Sequence, residues 1–169
     1  METRKYFFQP DKKMIKTGFF MTDEEQNVVY EANVIKQPLI GAAQVSFVNH
    51  IANKTEDHKV GHVVTVEENG LIGGLSTSSY FKFDGKKIWD YLHEKDIRID
   101  SSISPDKLGM SYIITLRGKE IASIKTSTPK GKSIITGRFW LDVETSEYYI
   151  DLAFLAAYAI AKTEQTFIN

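Results

Sequence analysis

The run DLAFLAAYAIAK, residues 151–162, is the most apolar stretch of a chain otherwise built from short strand-like segments and polar turns. At about 100° per residue, Leu152, Phe154, Leu155 and Tyr158 gather on one side of a helix, and Ala153, Ala156, Ala157 and Ile160 on the other. Neither side is polar, so such a helix must be covered all round. Its large side chains are worth about 1.5–3 kcal/mol each on full burial, which outweighs helix propensity, so packing decides where the helix goes. Thr145 or Ser146 is the expected cap, Glu147 and Asp151 fall near the positive end of the helix dipole, and Lys162 falls near the negative end. These signals predict a helix over about 147–164. Asp151 is expected to accept hydrogen bonds at the helix start rather than to perform acid–base chemistry. The uninterrupted part, 152–161, reaches only about 15 Å, against roughly 30 Å of bilayer hydrocarbon, so no transmembrane span is expected.

What covers the helix is read from the segments before it. Turn chemistry punctuates the first two thirds of the chain at the spacing of a sandwich or barrel. YFF runs into Pro10-Asp11, MIKTGFFMT into residues 23–27, and VVYEANVIK into Gln37-Pro38. AAQVSFVNHI and VGHVVTVE follow, separated by the polar stretch ANKTEDHK. SYIITLRGKEIASIKTS predicts a hairpin turning at 117–119, and SIITGRFWLDV a bent strand with Gly137 as a bulge. DGKKIWDYLHEK predicts a short helix near 86–95 capped by Asp84, with a strand that points Trp89 and Tyr91 inward as the competing reading. A flat sheet covers one face of a helix, whereas a curled sheet covers them all and hides its edges. The expected fold is therefore mainly β with α: a closed or nearly closed antiparallel barrel of about a dozen strands enclosing the C-terminal helix. A helix wedged against one sheet is the alternative. No linker or repeat divides residues 1–169, so one domain is expected.

Composition narrows the function. The 169 residues are 42% hydrophobic and 25% charged, as in an ordinary globular domain. A net charge of −1 provides no global field to recruit nucleic acid or an anionic membrane, which leaves local patches. The chain has no cysteine, so disulfides, thiolate metal sites and a cysteine nucleophile are excluded. METRKYFFQP lacks the apolar run of a secretory signal, and a cytoplasmic location is expected.

A strand-rich chain of this size that ends in YYIDLAFLAAYAIAKTEQTF resembles the tubby C-terminal-like superfamily, which includes LURP-one-related proteins and phospholipid scramblases, and its ending resembles small bacterial members. The resemblance implies a barrel of about a dozen strands around a hydrophobic helix. It also implies a non-enzymatic role at a protein partner or at anionic phospholipid head groups, peripheral to a membrane. The cysteine palmitoylation sites of scramblase-like members have no counterpart here.

Among candidate sites, KTSTPKGKSIITGR places Lys125, Lys130, Lys132 and Arg138 around a Pro-Gly turn, where positive charge suits phosphate. His50, His58 and His62, with Glu56 and Asp57 between them, suggest a metal-dependent enzyme as one alternative function, and His58 and His62 share a strand face. A carrier of a small apolar ligand is the other alternative, and it needs empty interior volume. Residues 68–79, ENGLIGGLSTSS, lack the lysine and helix of a phosphate-binding loop and are expected to form a turn. No catalytic triad, nucleophile elbow or zinc-protease motif is present, and no pattern calls for a cofactor.

Overall fold

Alternation of apolar and polar residues makes most of this chain β-strand, and it does so in consecutive antiparallel hairpins. A computed structural model describes residues 2–11, 18–69, 74–103, 109–127 and 140–168. Its strands are β1 (Thr3–Pro10), β2 (Phe19–Thr22), β3 (Val28–Lys36), β4 (Ala43–Asn49), β5 (Lys54–Asn69), β6 (Gly74–Phe83), β7 (Lys86–Lys87), β8 (Ile97–Ile103), β9 (Met110–Leu116), β10 (Lys119–Thr126) and β11 (Leu141–Ser146). Helix α1 is Ile88–Glu94 and α2 is Ile150–Ile168, entered through a 3₁₀ turn at Glu147–Tyr149. The strands form one antiparallel sheet in the order β7-β6-β5-β4-β3-β2-β1-β11-β10-β9-β8. β1 against β11 is the single pairing between strands distant in sequence, with Tyr6 opposite Val143.

Rings carried by α2 show how the sheet wraps it. Phe154 meets Phe8 of β1, Tyr30 of β3 and Phe47 of β4. Tyr158, one turn on, meets Phe19 of β2, Phe47 of β4 and Phe81 and Phe83 of β6. The helix also packs on β10 and β11, so strands from both halves of the order surround it, and residues 153–161 are all buried. A helix wedged on one side of a sheet does not make these contacts.

Among the described residues the ladder does not close: β7 and β8 are its two edges. Helix α1, which directly joins them, packs on β6, β7 and β8 and buries Ile88 and Leu92 in the core. Of the expected closed or nearly closed barrel, the mainly antiparallel sheet around a buried helix is found and full closure is not: the sheet stays open with a helix at its seam, because β7 is only two residues long before the chain turns helical. Ile88 and Leu92 face inward and Trp89 outward, as the helical reading requires.

Local chemistry explains the turns. Asp84-Gly85 and Arg117-Gly118 both have positive φ at two central residues, +50° and +83°, then +52° and +81°, the conformation that matches strand twist in tight hairpins. Asp84 is therefore a turn residue and not the cap of α1, whose cap position is Lys87 with no side-chain bond. Neither Thr145 nor Ser146 caps the C-terminal helix as expected: Thr145 Oγ1 donates to the Ile121 carbonyl, 2.9 Å, and Ser146 Oγ has no partner among the described residues. Two boundaries also move. The polar stretch ANKTEDHK is already strand from Lys54, and the serine–threonine part of 68–79 is strand β6 from Gly74 rather than turn. Gly70, Gly73 and Gly137 lie outside the described residues.

Candidate functional site

The basic turn read from the sequence is only partly placed. Lys125 is exposed on β10, directly across from Asp142 of β11. Burial pushes the Asp142 carboxyl up, and the nearby Lys125 charge pulls it the other way, so Lys125 spends part of its field on a neighbour. Lys130, Lys132 and Arg138 lie outside the described residues.

The three histidines are held apart by different partners. His50 follows β4 and sets Nε2 3.3 Å from Glu31. His58 faces inward between Phe47 and Phe83, with Nδ1 2.8 Å from Asp84. His62, two positions past buried Val60 on the same face, lies against Phe81, and burial together with the Lys162 charge lowers its pKa. Among the described residues, no group of three or more histidine or acidic side chains stands where it could hold a metal ion.

The most elaborate polar geometry surrounds Asp151. Tyr30 Oη donates to Oδ1 at 2.7 Å, Asn49 Nδ2 donates to the same oxygen at 3.1 Å, and Lys54 Nζ reaches Oδ2 at 2.9 Å. Asn49 in turn accepts the backbone N–H groups of Ile51 and Ala52, which shapes the β4–β5 turn. Burial alone would raise the Asp151 pKa, but the bonds from Lys54, Tyr30 and Asn49 overcome it and the net shift is downward. Tyr30 is pushed up by its own burial and by Asp151. The sequence signal for this knot is Asn49: after Val45 and Phe47 it occupies an inward position, and a polar side chain there requires a buried partner. Beside the knot, a cavity of about 100 Å³ is lined by Phe47, His58, Phe83, Tyr91 and Leu155, among others.

On the outer face, register brings lysines together. Lys36 pairs with Gln44, and Gln44 pairs with Lys59. One step along, Gly61 pairs with Lys82, and Lys82 with Lys87. The Lys82 and Lys87 ammonium groups flank the Tyr80 ring at 6.0 and 4.7 Å from its centroid. Of the carboxylates nearby, Asp84 is engaged by His58 and the Lys59 N–H, and Asp57 by Ser46. Sequence reading missed this face because the four lysines are scattered from 36 to 87 and meet only through pairing.

Comparison with protein-family models, curated proteins and solved structures gives no match. Among the described residues, no helix is long and apolar enough to cross a membrane.

Proposed function

We propose that this chain is a non-enzymatic binding domain of the tubby C-terminal-like type, which holds an anionic, phosphate-bearing surface on its outer strands and loops. One observation carries the reading: the interior is occupied by α2, while lysines 36, 59, 82 and 87 stand together outside on β3, β5, β6 and β7. Ligand pockets usually measure about 300–1,000 Å³, so the 100 Å³ cavity beside α2 weighs against an apolar ligand held at that place within the sheet, among the described residues. Partition of His50, His58 and His62 among Glu31, Asp84 and Phe81 disfavours the metalloenzyme alternative. Lysines near an anionic surface contribute about 1 kcal/mol each and are screened by salt, which suits reversible attachment at the cytoplasmic side of a membrane. Lys125 on β10, and with it Lys130, Lys132 and Arg138, would extend the same chemistry.

The test is co-sedimentation with phosphatidylserine-containing vesicles at low and high salt. Reversing two charges in Lys82→Glu/Lys87→Glu should weaken binding by roughly tenfold or more. Binding that ignores both salt and these substitutions overturns the reading.

A further inference from the structure

The connection between β3 and β4, residues 37–42, carries two adjacent aliphatic side chains with nothing over them: Leu39 is 105% exposed and Ile40 92%. Single exposed aliphatics are ordinary, but a branched pair at a projecting turn, with Ile35 54% exposed at its base, is a contiguous apolar tip. Pro38 fixes one side of the turn, and Gly41, at φ +105°, takes a conformation that side chains rarely adopt on the other. The tip is thus shaped by its backbone while its side chains contribute nothing to the core.

Its neighbours are basic. The turn leans over β5, where a Cβ added at Gly61 would come 3.4 Å from the Ala42 Cα. Gly61 is the residue paired with Lys82, and Lys36 and Lys59 flank Gln44 just below the turn. Tyr80, half-buried between Lys82 and Lys87, adds an amphipathic ring of the kind favoured at a membrane interface. Acidic residues outnumber basic ones at the opposite end of the sheet, where Glu2, Asp23, Glu24, Glu25, Glu144 and Glu147 line one groove together with Arg4 and Lys5. An anionic surface would therefore be held by the lysines beside the tip more readily than by that acidic groove.

We infer that the 37–42 turn inserts Leu39 and Ile40 into the interfacial layer of an anionic bilayer while the lysines beside it stay at the phosphates. This rests on the proposed anion-binding role of the lysine face and adds that an apolar turn beside it enters the bilayer. Apolar insertion and electrostatic attraction reinforce each other at such a surface, and each alone gives weak attachment.

The chain contains no cysteine, so Ile40→Cys provides a single thiol for an environment-sensitive fluorophore, with Glu120→Cys at the opposite end as the control. Vesicles of phosphatidylcholine with phosphatidylserine should shift the label at 40 to the blue and leave the label at 120 unchanged. Leu39→Ser/Ile40→Ser removes no core contact, so it should keep the wild-type melting temperature while weakening vesicle binding roughly tenfold or more. Wild-type protein that binds these vesicles with no blue shift at 40, or a double serine variant that binds as well as wild type, overturns the insertion and leaves the lysine reading standing. A blue shift at 40 that survives Lys82→Glu/Lys87→Glu and high salt keeps the insertion and overturns the lysine reading. Absence of any binding to these vesicles overturns both.

Discussion

The two ends of α2 bury polar chemistry in opposite ways. At the start, Asp151 keeps its charge because three side chains point hydrogens at it. Toward the other end, Tyr158 Oη is fully buried with no hydrogen-bond partner among the described residues, and Lys162 is only 3% exposed. The Lys162 ammonium lies 6.0 and 5.8 Å from the centroids of Phe19 and Tyr158, and burial pulls its pKa down to about 7. One end satisfies a buried charge, and the other favours losing it. Both solutions avoid leaving a full charge in an apolar wall, but they respond to pH differently.

The largest expected effect breaks the end that keeps its charge. Phe154 is fully buried and stacks on Tyr30 at 4.2 Å between ring centroids, so it fixes the ring whose hydroxyl holds Asp151. Phe154→Ala should cost about 3–5 kcal/mol in urea unfolding, through the lost apolar contact and the cavity left behind. A loss below about 1 kcal/mol would mean that the sheet collapses around the gap.

Next in size is the opposite end. The folded pKa of Lys162 lies below the unfolded value, so between about 7 and about 10.4 the unfolded chain binds the extra proton. Stability should therefore rise with pH across that window, and the penalty of burying this lysine should be complete below pH 7. Lys162→Met should flatten the rise, as read from urea midpoints between pH 6 and 10. A variant less stable than wild type at pH 6 would assign the charged lysine a stabilising role.

How much of this was legible in the sequence differs between the same two ends. The helix was legible as a whole because apolar residues on every side allow no other placement than burial. Asp151 was legible as a structural acceptor, but its partners Tyr30, Asn49 and Lys54 were not, because they come together only through the fold. Lys162 read only as a charge near the negative end of the helix dipole. Its burial depends on how far the sheet extends over the last turns, which periodicity does not encode. The closed barrel was over-read for a similar reason: a helix buried on all sides demands a complete wrapping, but the chain meets that demand partly with α1 at the seam. Tight turns such as Arg117-Gly118 were legible from local backbone preference. The lysine face was not, because it is assembled by register across strands far apart in sequence.

The smallest expected effect sharpens the contrast by removing charge and keeping shape. Asp151→Asn can still accept from Tyr30 and Asn49 but loses its attraction for Lys54. Asp151 has a folded pKa below its unfolded value, so its contribution is present above about pH 4 and disappears as pH falls through the folded pKa. Lys54 behaves in the reverse sense: its bond to Asp151 raises the folded pKa, so its contribution is present below about 10.4 and disappears as pH rises through the raised value. Both groups are partly exposed, which limits the pair to about 1 kcal/mol. The stability gap between wild type and Asp151→Asn should thus form a plateau from about pH 5 to 9 and close on both flanks. A gap of constant size down to pH 2 would mean that the substitution acts by distorting the Tyr30–Asn49 geometry, and that the helix start is held by shape rather than charge.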